Sequence, residues 1–255
     1  MLELKGKNID RIRKLTGEAI GRFGLISDGD RILVGVSGGK DSIILLHLLH
    51  YFQKTAPVKF RIAAATFDPG YPEFNTAAIE NYCRERNWEH HTVKLPMEQL
   101  LNSKSLENSP CGLCSRLRRG KLYGMADELK CNKLALGQHL DDLIASFFMS
   151  LCRGQGIRTM APIAYPQDPK HPVIIRPLAL VPEELLSETA AENTFPDSGI
   201  CRYKELLKSG DREYFRNLSD QLTARIPDFR SNFIHSLGHI EPEHLMITPA
   251  LTKKR

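Results

Sequence analysis

The chain has 255 residues, 42% of them hydrophobic and 25% charged, with a net charge of +5 and six cysteines. That balance belongs to an ordinary soluble globular protein, long enough to bury a substantial core without disulfide staples. The charged opening MLELKGKNIDRIRKL lacks the apolar run of a secretory leader, and Ile43 to Phe52, broken by two histidines, is too short to span a bilayer. No membrane association is expected. The expected compartment is the cytoplasm, where the cysteines argue for metal or redox chemistry over structural disulfides.

In chain order, Ile9, Ile12, Leu15, Ile20 and Phe23 recur at helical spacing and predict an amphipathic helix. Arg31 to Val36 (RILVGV) reads as the first strand, followed by glycine and serine and then a helix from Asp41 to Phe52. Arg61 to Phe67 is a second strand, ending in the turn signal Asp68-Pro69-Gly70. Asn75 to Arg86 reads as a helix, His91 to Leu95 as a strand, and Leu113 to Leu129 as a basic helix. Lys133 to Leu136 is a fourth strand, Asp141 to Leu151 a helix, and Val173 to Arg176 the last strand. Gly154 to Pro172 is rich in glycine and proline and is expected to be a surface loop. Helices are expected near Pro182 to Glu192 and, as a pair, across Arg212 to Leu237.

Alternating strands and helices predict an α/β fold of βαβ units: a Rossmann-like parallel sheet with helices on both faces and a helical C-terminal appendage. The expected division is an N-terminal helix over 1–28, a nucleotide domain over 29–180 and a helical region over 181–255.

Ser37-Gly38-Gly39-Lys40-Asp41-Ser42 lies between the first strand and its helix. Backbone N–H groups at a helix N-terminus and the helix dipole suit a nucleotide phosphate there. The glycines admit positive φ and a close approach of the anion. Lys40 adds a mobile cation, and Ser37 and Ser42 add hydroxyls. Asp41 would be repelled by phosphate unless the two share a cation, which gives it a Mg²⁺ role. This is not a Walker A loop: Val34 stands where glycine is needed, and aspartate follows Lys40. The hexapeptide resembles the PP-loop of the ATP-pyrophosphatase superfamily, whose members adenylate a carbonyl oxygen before a nucleophile displaces AMP. Asp68 could meet ribose or metal at the end of the second strand, or could serve its turn alone.

Cys111 and Cys114 have metal-ligand spacing, beside the cations Arg116, Arg118, Arg119 and Lys121. A single CxxC is consistent with half a zinc site, a redox pair or part of an iron–sulfur site. An all-cysteine zinc site needs a second CxxC, which the chain lacks. Cys83, Cys131 and Cys152 read as structural. Cys201 follows the loop Phe195 to Ile200 and is a candidate third ligand. Three thiolates on a 4Fe–4S cluster leave one iron open to sulfide.

Cys111 to Gly120 (CGLCSRLRRG) resembles the CxxCSRxRR segment of the tRNA 2-thiocytidine synthetases. Leu136 to Asp142 (LGQHLDD) is similar to that family's second signature, and Ile175 to Leu178 (IRPL) to a third. The resemblance implies a 4Fe–4S cluster on Cys111, Cys114 and Cys201, and ATP with Mg²⁺ on Ser37 to Ser42, with Gly137 in the nucleotide-binding set. It also implies an essential acid at Asp142, for base or metal work. Taken alone, Asp141 and Asp142 could be caps at a helix N-terminus, and His139 a turn residue. Arg118 stands where related 2-thiouridine synthetases carry a catalytic lysine. An arginine does not shuttle protons at neutral pH, so its expected work is clamping phosphate.

The expected partners are tRNA and a source of sulfur, either sulfide or a cysteine desulfurase; a homodimer is compatible with the sequence. The expected activity is ATP-dependent 2-thiolation of a tRNA cytidine. A 2-thiouridine-forming enzyme, a persulfide carrier using Cys111 or Cys114, an amine-ligating PP-loop enzyme and a non-catalytic RNA-binding metalloprotein are the alternatives. Leu140 and Gln138 depart from the thiocytidine pattern, and Leu140 matches the thiouridine branch.

Overall fold

The computed structural model describes residues 3–95, 110–199 and 210–246. The elements run α1 (Ile9–Arg22), β1 (Arg31–Val36), α2 (Lys40–Thr55), β2 (Arg61–Asp68), α3 (Thr76–Glu85) and β3 (His90–Lys94). They continue with α4 (Pro110–Glu128), β4 (Lys133–Ala135), α5 (Leu140–Cys152), β5 (Ile163–Ala164) and β6 (Val173–Ile175). Helices α6 (Glu183–Ala191), α7 (Asp211–Arg225) and α8 (Phe229–Gly238) follow, with a 3-10 turn at Pro242–His244. No helix among the described residues is long and apolar enough to cross a membrane.

The strands form one sheet in the order β3-β2-β1-β4-β6-β5. Every pairing is parallel except β5 with β6. Sequence order runs outward in one direction from β1 to β3 and switches to the other side at β4. The chain ends beyond β1 and β4 therefore diverge at a switch point, where open α/β sheets form their ligand crevice.

The pleat decides which helix covers which face. Ile32, Val34 and Val36 alternate into a core that includes Ile12 of α1, Leu45 and Leu49 of α2, Ile79 of α3 and Leu186 of α6. Leu33, Ala63 and Leu134 face the other way, against Leu122 and Ala126 of α4. Residues Ser42 to Leu49 are all buried, so α2 is wrapped by protein on every side. Truncating a side chain such as Leu45 there costs about 2–5 kcal/mol. The far end of the sheet is pinned by a buried ion pair: Lys133 Nζ lies 2.7 Å from Asp30 Oδ2 and donates to the Leu25 carbonyl at 2.7 Å.

Two expectations need correction. The stretch 154–172 carries the strand β5, whose Ile163 and Ala164 pair with Ile175 and Ile174. The basic helix starts at Pro110 instead of Leu113, because proline suits the first helical position, where its missing N–H is no loss. Its start therefore takes in Cys111 and Cys114.

Candidate active site

The PP-loop leaves β1 at the switch point and folds on its own hydroxyls. The Ser37 N–H donates to Ser42 Oγ at 3.1 Å, and Ser42 Oγ donates to the Gly39 carbonyl at 2.8 Å. Gly39 caps α2 in an extended conformation. Gly38 has φ +83°, and a Cβ there would stand 2.0 Å from Ser198 Oγ. The loop before Cys201 is thus packed onto the PP-loop. At Gly137 a Cβ would stand 3.1 Å from the Ser42 nitrogen. The second signature therefore runs directly over the start of α2, and glycine permits that approach.

Beyond Gly137, His139 caps α5 and is fully buried. Neither of its ring nitrogens has a hydrogen-bond partner. Its Nε2 is 3.5 Å from Asp142 Oδ2, and its Nδ1 is 3.7 Å from Asp141 Oδ2. Burial pushes the His139 pKa down, but Asp141, Asp142, Asp41 and Glu183 outweigh it, and the net shift is upward. Asp141 Oδ2 accepts the Glu183 N–H at 2.7 Å, and its Oδ1 accepts Arg230 Nε at 2.8 Å. Burial alone would raise the Asp141 carboxyl; His139, the Glu183 N–H and Arg230 reverse that and bring it to about 2. Asp142 is hydrogen-bonded by Arg216 and accepts the His139 N–H at 3.3 Å. Its pKa is also lowered, with burial opposed by His139, Arg216 and Arg212.

Lys40 belongs to the same cluster. Its Nζ is 2.9 Å from Asp41 Oδ1 and 3.2 Å from Glu183 Oε1. Burial pushes its pKa down, and Asp41 and Glu183 more than restore it. The site thus sets alternating charges around the crevice, each cation paired with carboxylates. Arg176 of the third signature is buried and donates to Gln138 Oε1 at 2.9 Å and to the Ala161 carbonyl at 2.5 Å. Burial, with Arg119 nearby, lowers its pKa to about 10.

Asp68, the last residue of β2, accepts the Gly70 N–H at 2.8 Å, so its carboxylate serves the turn. Positions 111 and 114 lie three apart at the start of α4. Cys114 is half-buried and packs with Leu113 and Leu117 against Phe67 and Tyr71. Phe74 joins the same cluster and bridges to Gly199. Arg118 is half-buried on α4, with Arg116, Arg119 and Lys121 exposed around it. Cys83 is buried in α3 with its thiol pushed up to about 11 by burial, Cys131 is buried ahead of β4, and Cys152 is exposed at the end of α5. Cys201 lies outside the described residues.

A family model described as a PP-loop domain matches residues 7–217. A tRNA-cytidine(32) 2-sulfurtransferase of Syntrophotalea carbinolica is 38% identical over 237 residues, covering 92% of this chain and 91% of the relative. One from Geobacter sulfurreducens is 37% identical over 239 residues, covering 92% of each chain. The chain belongs to the tRNA-cytidine(32) 2-sulfurtransferase family of PP-loop proteins. The fold also matches the U34-tRNA thiolase NcsA from Methanococcus maripaludis, solved with its 4Fe–4S cluster. That likeness has a TM-score of 0.71 at 24% identity and covers 91% of this chain and 80% of that one. Family membership favours the cytidine branch over the 2-thiouridine and amine-ligating alternatives.

Within this family frame, the structure gathers Ser37 to Ser42, Gly137 and Asp142 at one crevice and sets Cys114 on a neighbouring cluster of side chains. Sequence reading missed Glu183, Ser198, Arg216 and Arg230. They belong to no motif quoted above, and they reach the site from the C-terminal third of the chain. The one signal available was Pro182-Glu183-Glu184, a helix start with acids in its first turn.

Proposed function

We propose that the chain binds ATP with Mg²⁺ on Ser37 to Ser42, adenylates the 2-carbonyl oxygen of a tRNA cytidine and replaces that oxygen with sulfur. The carbonyl oxygen attacks the α-phosphorus and the bond to pyrophosphate breaks. Sulfide then forms the carbon–sulfur bond as the carbon–oxygen bond breaks and AMP leaves. The observation that carries this reading is the seating of Gly137 on Ser42 and of Ser198 on Gly38, which brings two distant parts of the chain onto one phosphate loop.

Lys40 and the loop N–H groups take the phosphates, with Asp41 sharing Mg²⁺. Asp142 stays ionised beside Arg216, a state that suits holding a cation or orienting the reacting base more than storing a proton. Arg118, with the cations around it, meets phosphate of the RNA, which makes binding salt-sensitive.

Cys111, Cys114 and Cys201 suit a 4Fe–4S cluster by donor chemistry: two thiols open one helix, where the dipole favours thiolates. Tyr71 and Phe74 connect Cys114 to Gly199, which is two residues ahead of Cys201 in the chain. When bound, the cluster would supply an iron without a cysteine ligand, a position open to sulfide. The source of sulfur would be sulfide or a cysteine desulfurase.

The test is to incubate the anaerobically purified protein with tRNA, ATP and sulfide, then digest the RNA and weigh its nucleosides. Formation of 2-thiocytidine with one AMP and one pyrophosphate per sulfur is expected. Thiouridine as the product would move the chain to the neighbouring branch, and AMP release without thiolation would refute sulfur transfer.

A further inference from the structure

Glu183 stands where three parts of the site meet. It opens α6, and its carboxylate lies 3.2 Å from Lys40 Nζ, 3.7 Å from Arg216 Nη1 and 3.9 Å from His139 Nε2. Its N–H donates to Asp141 Oδ2 at 2.7 Å, which fixes the start of α6 against the start of α5. The side chain is one third exposed, so solvent and a ligand can both reach it. Lys40 is the PP-loop's single cation, and two carboxylates, Asp41 and Glu183, already hold it. Arg216 is likewise shared between Asp142 and Glu183. A phosphate arriving at the loop must compete with Glu183 for Lys40, and Glu183 ties Arg216 to the same point.

We propose that Glu183 is a positioning carboxylate that holds Lys40 and Arg216 in place when the loop carries no nucleotide and yields them to the phosphates of ATP. Its negative charge then opposes bound phosphate, so it sets both the affinity for ATP and the rate at which pyrophosphate leaves. An ATP triphosphate carries more charge than one carboxylate and displaces it; pyrophosphate, once cut from AMP, is pushed outward by the same carboxylate. Binding that is too tight at this step would hold product without speeding the chemistry. The inference rests on the reading of Ser37 to Ser42 as the ATP loop.

The experiment measures binding of a non-hydrolysable ATP analogue with Mg²⁺, and of pyrophosphate, to the full chain without RNA. Glu183→Gln is expected to tighten both by about tenfold, the effect of one charge acting across a partly exposed site. In the thiolation assay kcat and the KM for ATP are expected to fall together. In a Lys40→Met background the gain from Glu183→Gln is expected to shrink to about threefold or less, because the residues are coupled. Glu184→Gln, which removes an exposed neighbouring charge, is expected to move affinity less than about twofold. If Glu183→Gln does not fold, Glu183→Asp withdraws the charge by one methylene and is expected to tighten binding by a smaller factor. Unchanged or weaker binding in a folded Glu183 variant overturns the proposal, and so does an equal gain in the Lys40→Met background. A wild-type protein that binds no nucleotide brings down the reading of the loop itself, and the proposal with it.

Discussion

Replacing Gly38 by alanine tests whether the C-terminal loop and the PP-loop are one structural unit. The backbone at Gly38 has φ +83°, where an L side chain is strained by about 1–2 kcal/mol. The new Cβ would also stand 2.0 Å from Ser198 Oγ and 2.5 Å from Ser198 Cβ. Ser198 is buried, and its carbonyl accepts the Asn75 N–H at 2.9 Å, so it has little room to retreat. Overpacking of this kind costs about 1–3 kcal/mol, which brings the total to about 2–5 kcal/mol. Removing the obstacle with Ser198→Gly leaves the backbone strain and a 3.3 Å approach to the flexible end of Ile79. The double variant is therefore expected to recover about 1–3 kcal/mol relative to the sum of the single changes. Urea midpoints give the stabilities, and titration with an ATP analogue gives the site: Gly38→Ala is expected to lose about tenfold or more in affinity, an amount worth about 1.4 kcal/mol. Strict additivity of the two substitutions would refute the contact between the loops.

Gly199→Ala places a Cβ 1.8 Å from the Glu73 carbonyl oxygen at φ +77°, so it is expected to break the bridge to Phe74 and to lower the iron bound per chain. Lys133→Met strands the buried Asp30 without its cation and is expected to cost about 3–5 kcal/mol in urea unfolding, with nucleotide affinity unchanged because the pair lies at the other end of the sheet. Acid should destabilise the protein through His47, which is buried against Tyr82 and has its pKa lowered from 6.5 to about 3, chiefly by burial and then by Arg86. The folded state refuses a proton that the unfolded chain takes up below pH 6.5. The cost is therefore absent above that pH and grows as pH falls toward 3, with a loss of about 2 kcal/mol by pH 5. His47→Gln should flatten that part of the stability profile.

The sheet was legible because its strands are short apolar runs bounded by turn residues, as in RILVGV before Ser37-Gly38-Gly39. The strand β5 was not, since two residues within a glycine- and proline-rich stretch carry no periodicity. Their strand character comes from pairing with Ile174 and Ile175. The phosphate loop and Asp142 were visible as local motifs whose spacing survives folding. The charge network around them was not visible. Arg216 meets Asp142 across 74 positions and Arg230 meets Asp141 across 89, and no local pattern encodes such a meeting. Conversely Asp68, equally plausible from sequence as a ribose ligand, has its carboxylate engaged by its own turn.

The central claim is that the nucleotide loop works with a 4Fe–4S cluster held by Cys111, Cys114 and Cys201, whose open iron would take the sulfide. Its most direct test is the iron and acid-labile sulfide content of anaerobically purified protein, measured beside Cys201→Ala. The account predicts about four irons per chain in the wild type, the content of one 4Fe–4S cluster, and a marked loss in the variant. A colourless wild type that holds zinc or no metal after attempted reconstitution would contradict it, as would a variant that keeps its full iron.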